Sequence, residues 1–190
     1  SVLSKISEEH NEGYFNHNVE SVRLLMNLEN KGYGKNITLQ VLDGILCHNG
    51  ELELQEYRPQ KKTKETFLEE YERTYTEKDF VKTLVPMTLE GCVVRVSDII
   101  AYLGKDIEDA RILGIIKEED IPINIRQILG VKNREIVNTI IMDLIHNSFG
   151  KPYLKLSDDV FEAIKELKKF NYVNIYDKSL TEEEKNEITH

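Results

Sequence analysis

Apolar residues recur every three or four positions in every long segment of this chain, and the two-residue alternation of a half-buried strand is nearly absent. Val19, Val22, Leu25, Met26 and Leu28 form one such stripe, and Ile37, Val41, Leu42, Ile45 and Leu46 form another. Residues that interrupt helices are scarce, with 10 Gly and 4 Pro in 190 residues. The spacing therefore predicts an all-α fold. Only Val93-Val94-Arg95-Val96 reads as a strand by itself, and its flanks keep helical spacing.

Val2, Leu3 and Ile6 suggest a helix already under way at the start of the chain. Asn16 or Asn18 can cap the next, which stops at the Lys31-Gly32-Tyr33-Gly34 cluster. Asn36 is the expected cap of the helix ending near Asn49-Gly50. From about 51 to 82 the sequence turns highly charged, with a short surface helix at 66–71. This region reads as an excursion packed lightly on the domain or as an interface with another chain. After Pro86 comes the most apolar stretch, Leu89 to Gly104, expected to be a helix buried on most sides. A short helix to Leu113 follows, then one ended by Gly130, then a long one capped by Asn133. Ser157-Asp158-Asp159 opens the next, and Thr181 with Glu184 makes a capping box for a last polar helix. Residues 1–176 read as one domain and 177–190 as a polar tail. Val93, Val96, Ile100, Ile140, Ile141 and Leu144 are expected to be buried.

Composition removes several classes of function. Hydrophobic residues at 40% suffice for a core and are too many for a disordered chain. A formal net charge of −9, from 25 Lys+Arg against 34 Asp+Glu, gives no general basic field for coating nucleic acid. No apolar run approaches the roughly 20 residues that span a bilayer. The first ten residues lack the basic and apolar regions of a signal peptide. Two cysteines, Cys47 and Cys92, cannot build a disulfide framework, which points to a reduced, cytoplasmic setting. They read as small core residues. No phosphate-cradling glycine motif and no Cys-x-x-Cys is present.

What remains are polar residues in unusual places. Asp98, Tyr102 and Asp106 lie at i, i+4 and i+8, so one helix would carry all three on one face. Asp98 sits among Val96, Ile99 and Ile100. A carboxylate buried there must be paired, hydrogen-bonded or metal-bound. An ordinary salt bridge, to Arg95 or to a lysine from another helix, stands against a metal or substrate role. His17 falls in the first turn of a helix, where it can donate to a phosphate, act as an acid, or simply help cap and pack the helix. His48 ends an apolar helix, ordinary dipole chemistry for a histidine. His146 and His190 look like surface residues.

Three segments carry a likeness to a known family: FNHNVESVRLL at 15–25, LDGILCHNGE at 42–51 and LEGCVVRVSDIIAYLGKDIEDA at 89–110. Together they resemble the deoxynucleoside triphosphate triphosphohydrolases of the HD-domain superfamily, the bacterial dGTPase-like proteins above all. The likeness continues more weakly to LSDDVFEAIKELKKFNYVNIY at 156–176. The resemblance implies an all-α, HD-domain-like fold. It implies a divalent metal such as Mg or Mn, held by an early His, an adjacent His-Asp pair and a distant Asp. Asp98 matches the distant Asp. Tyr102 matches a tyrosine that touches the phosphates, Asp106 an aspartate that meets the sugar 3′-hydroxyl, and His17 a catalytic histidine on the phosphate side. His48 falls in a stretch typical of the bacterial members and receives no role.

No adjacent His-Asp pair occurs in these residues. The resemblance places that pair and the earlier His upstream of Ser1, so the fold is expected to be N-terminally incomplete and the chain inactive alone. Three functions follow from these readings. One is metal-dependent hydrolysis of a dNTP to deoxynucleoside and triphosphate by the parent protein. Another is a non-catalytic nucleotide-binding or subunit-interaction module. The third, a general HD phosphohydrolase for another phosphoester, fits the intact Asp98, Tyr102 and Asp106 positions less well. Uncovered apolar surface is expected to bring a homo-oligomer or another subunit; no membrane is expected as partner.

Overall fold

The computed structural model describes residues 2–10, 13–49 and 54–176. Helices dominate, and among the described residues the strands are two residues each, β1 Glu56–Tyr57 and β2 Leu154–Lys155. The all-α class is the one that the apolar spacing predicts. Contacts gather into two compact units, Ser1–Asp98 with Lys151–Leu154, and Ile99–Gly150 with Lys155–His190. The polar helix expected after Thr181, and His190, lie outside the described residues.

The first unit holds α1 Val2–Glu9, α2 His17–Arg23, α3 Leu39–Cys47 and α4 Lys64–Thr76. Asn16, in extended conformation, precedes the first helical residue of α2. The helix then passes into a π-helical turn at Leu24–Leu28, where Glu29 N–H donates to the Leu24 carbonyl at 2.9 Å. That extra residue shifts the register, so Leu28 leaves the stripe that ordinary helical spacing gives it and stands exposed. The chain folds back at Gly34, whose φ is +69°. A Cβ there would drive into the Met26 carbonyl, while Lys35 N–H reaches the Leu25 carbonyl at 2.8 Å. Helix α3 begins three residues later than the expected cap at Asn36. Ile37 N–H closes a tight turn on the Lys35 carbonyl at 2.9 Å, and Thr38 stays extended.

The charged stretch is packed into the core rather than lightly upon it. Thr63 caps α4 by accepting from Thr66 N–H at 3.2 Å. Phe67, Tyr71 and Thr74 then point inward at helical spacing. Phe67 and Tyr71 join Val19, Val22, Leu42, Leu46, Cys47, Val81 and Leu84 in one cluster. The apolar residues of α4 are sparse but share one face, which suffices to bury it.

A buried charge cluster secures the same unit. Lys62 Nζ lies 2.7 Å from Asp43 Oδ1 and 2.6 Å from Glu70 Oε2, with the Lys62 and Asp43 side chains 2% and 1% exposed. Asp43 Oδ2 accepts the Met87 N–H at 2.6 Å. Burial disfavours the Lys62 ammonium, yet Cys47, Asp43 and Glu70 hold its pKa above the ordinary lysine value. Cys47 lies beside this cluster, its Sγ 3.6 Å from Lys62 Nζ. Burial, with Asp43 adding to it, pushes the Cys47 thiol up to about 12; burial takes Cys92 up to about 11.

Helix α5, Leu89–Ile112, runs without interruption where two helices separated at Gly104 were expected. Residues 89–98 belong to the first unit and 99–112 to the second. Gly104 does not end a helix. It admits Asn133, whose Cα would stand 3.0 Å from any added Cβ. The second unit continues with α6 Ile123–Ile128, α7 Asn133–Ser148 and α8 Asp158–Asn171. Its buried side chains include Ile107, Ile125, Ile136, Ile140, Ile164 and Leu167. Asn133 is the first residue of α7 and does not cap it. Glu135 reaches back instead and accepts from the Val131 and Lys132 N–H groups at 3.0 and 3.1 Å, which holds its carboxyl below the ordinary value. Asp143 of α7 does likewise for α8, accepting the Ser157 N–H at 2.8 Å.

Of the positions expected inside, Val96, Ile100 and Ile140 are buried, but Val93 and Ile141 are exposed and Leu144 is half-buried. Each misplaced residue is apolar, but adjacent helical residues lie about 100° apart around the axis. Ile141 thus turns away from the face that Ile140 buries, and the outward flank of α5 keeps Val93 and Val94 in solvent.

Two outcomes follow. Lys62→Met leaves Asp43 buried without a counter-charge, and urea denaturation should show a loss of about 3–5 kcal/mol. Both cysteines should resist iodoacetamide in the folded chain. Between about pH 8 and pH 10 an ordinary thiol becomes a reactive thiolate. Cys47 and Cys92 stay protonated across that window, because their folded pKa values are raised, and should be alkylated fast only in denaturant.

Candidate functional site

Helices α2 and α3 build a polar junction from two copies of one dipeptide, His17-Asn18 and His48-Asn49. Asn18 is wholly buried. Its Nδ2 donates to the Leu46 carbonyl at 2.5 Å, and Asn49 Nδ2 donates to Asn18 Oδ1 at 3.4 Å. The carbonyls of a last helical turn lack helical partners, so the Asn18 amide finds an acceptor there. Asn18 is therefore a clamp on α3 rather than the cap of α2. With the backbones so registered, His17 Nε2 comes within 3.2 Å of His48 Nε2. The rings meet edge to face, 5.1 Å between centroids and 71° between planes. His48 Nδ1 lies 2.7 Å from the Ile45 carbonyl. His17 is exposed and His48 half-buried.

His48 also forms part of the wall of a cavity of about 700 Å³ in the first unit. Val41, Gly44 and Ile45 of α3 line it on one side, and Thr88, Gly91 and Val94 on the other. The two helices cross at a pair of glycines, and the tight place is at Gly91. A Cβ on Gly44 would meet the Gly91 Cα at 3.8 Å, and one on Gly91 would press on Pro86 Cβ at 2.8 Å. The volume falls in the range of small-molecule sites.

Asp98, Tyr102 and Asp106 all lie on α5 at the expected interval. Asp98 is half-buried rather than enclosed, and among the described residues it has no hydrogen bond or ion pair. Arg95, the expected salt-bridge partner, turns inward and donates to the Leu84 and Lys82 carbonyls. Tyr102 is 63% exposed and Asp106 half-buried. His10 follows the last residue of α1 and is not continuous with the helix of His17. His146 is exposed.

Among the described residues, no three His, Cys, Asp or Glu side chains converge on one point. A hard divalent ion held by the single Asp98 carboxylate would stay mostly hydrated.

The sequence reading named His17 and left His48 without a task; it missed the pairing and the clamp beneath it. The repeated His-Asn dipeptide was the available signal, since two polar pairs at the ends of neighbouring apolar helices invite mutual satisfaction.

Neither a protein-family model nor a solved structure matches the chain. Curated relatives do. Over 169 residues the chain is 37% identical to the deoxyguanosinetriphosphate triphosphohydrolase-like protein of Clostridium perfringens strain SM101, covering 86% of this chain and 41% of that one. Over 186 residues it is 34% identical to the protein of that name from Caldanaerobacter subterraneus, covering 97% of this chain and 44% of the other. A third, from Clostridium tetani, is 32% identical over 176 residues. The chain thus spans about 41–44% of the length of the curated relatives it matches. Along most of its own length it is related to the deoxyguanosinetriphosphate triphosphohydrolase-like proteins.

Proposed function

We propose that this chain supplies the substrate-holding residues of a deoxynucleoside triphosphate triphosphohydrolase, which cleaves a dNTP to deoxynucleoside and inorganic triphosphate. The similarity to proteins of that name over 86–97% of the chain carries the reading. His17 is assigned to the phosphate side, where an exposed imidazole can donate to an oxyanion or pass it a proton. Tyr102 is assigned a hydrogen bond to the phosphates. Asp106 is assigned the 3′-hydroxyl, which donates to its carboxylate and selects deoxyribose with an intact 3′ position. When bound, a divalent metal would polarise a phosphate oxygen or activate water. Asp98 is the residue assigned to hold it. Exposed Ile141, Ile145 and Phe149 support association with a second copy or another subunit.

The non-catalytic alternative draws on one observation, the lack of a converging metal-ligand cluster among the described residues. For the 190-residue chain alone the two readings coincide. Incubated with dGTP and Mg²⁺ or Mn²⁺, it should release no triphosphate at enzymatic rates; metal-dependent release would show that these residues suffice.

In a form of the protein that turns over dGTP, Asp106→Ala should act on sugar selection rather than on metal content. A hydrogen bond to a charged acceptor contributes about 1.5–3 kcal/mol, so the preference for dGTP over its 3′-deoxy analogue should fall roughly ten- to hundred-fold. Comparing kcat/KM for the two substrates checks this. An unchanged ratio, with only the melting temperature lowered, would make Asp106 a structural residue.

A further inference from the structure

Each half of the His17–His48 contact limits what the other can be. The Ile45 carbonyl, 2.7 Å from His48 Nδ1, can only accept, so Nδ1 carries the proton. A neutral imidazole has one N–H, which leaves His48 Nε2 with its lone pair. Across 3.2 Å stands His17 Nε2, which must then be the donor. His17 is thereby held as the Nε2–H tautomer, and its unprotonated nitrogen is Nδ1. The reverse direction would require His48 to be an imidazolium, donating from both nitrogens.

We infer that His48 is a positioning residue for His17, fixing its tautomer and ring orientation so that Nδ1 is the atom offered to the ligand. The inference rests on the phosphate-side role proposed for His17. His48 can accept from Nε2–H whether His17 is neutral or cationic. The bond therefore holds the ring while Nδ1 takes up a proton or yields one. Neutral, Nδ1 receives a proton; cationic, Nδ1–H donates to a phosphate oxygen. No electron or other atom moves.

The contact is built into the fold. Asn18, fully buried and bound to the Leu46 carbonyl and to Asn49, fixes the backbone next to both histidines. Among the described residues no other hydrogen bond engages the His17 ring. Because His48 lines the cavity between α3 and the start of α5, a ligand entering there reaches it directly.

The test uses the 190-residue chain with ¹⁵N-labelled histidine, with a chelator present. Long-range ¹H–¹⁵N correlations identify which nitrogen of each ring is protonated. At a pH where both rings are neutral, His48 should be the Nδ1–H form and His17 the Nε2–H form. Finding Nε2–H on His48 would overturn the inference. In His48→Ala the His17 ring should become a mixture of tautomers. In His48→Gln, whose side-chain carbonyl can accept, it should return to Nε2–H. A His17 tautomer indifferent to both changes also overturns it. Titration with inorganic triphosphate separates this from the proposed function. Shifts at His17 Nδ1 that weaken roughly tenfold in affinity in His48→Ala support both. If the tautomers are as stated but triphosphate leaves His17 unmoved, the positioning bond stands and the phosphate-side role falls.

Discussion

The first unit depends on one buried ammonium. Lys62 satisfies Asp43 in the interior, and Asp43 in turn accepts the Met87 N–H ahead of α5 while Glu70 holds the other side of Lys62 from α4. A carboxylate inside α3 would otherwise carry a large desolvation cost. With Lys62 in place it sets where α3 lies among its neighbours. His48 stands at the end of α3, so the geometry of the candidate site is inherited from this cluster. Cys47, one helical turn from Asp43, completes the same layer as a neutral neighbour.

The helical class was legible because apolar spacing reports a helix wherever one face is buried. Boundaries were less so. Gly104 reads as a stop, but α5 continues through it, because the glycine is there to admit Asn133. Glycine spacing alone does not distinguish an ending from a close approach. Asn133 and Asn36 read as caps, yet Glu135 holds the start of α7, and α3 begins after Thr38, whose side chain makes no capping bond. A capping residue is chosen by three-dimensional reach, which a one-dimensional pattern does not encode. Burial on α5 and α7 failed at Val93 and Ile141 for a related cause: periodicity marks which residues are apolar, not which flank meets the core.

The site was legible in its residues and illegible in its pairings. Asp98 drew notice as a carboxylate in an apolar helix. The same argument applies with greater force to Asp43, set between Leu42 and Gly44, and there the structure bears it out with Lys62. Asp98 instead lies on a half-open flank. Lys62 itself was hidden in a stretch of like residues, where one buried lysine looks no different from its solvated neighbours. His17 and His48 are thirty-one positions apart, and the packing of α2 on α3, with the Asn18 clamp, makes them adjacent.

The π-helical turn at Leu24–Leu28 has a consequence for how this chain tolerates change in length. It contains one residue more than an α-helical turn needs. Deleting a residue there would leave an unbroken helix, so the local backbone would absorb the loss. Because the wide turn already takes up the extra residue, the chain beyond it would keep nearly the same direction, and the reversal at Gly34 would keep its close approach to the end of the helix. The turn at Leu24–Leu28 is thus the place where this part of the chain absorbs the loss of one residue, whereas a loss from the α-helical part of α2 would rotate all that follows by about 100°.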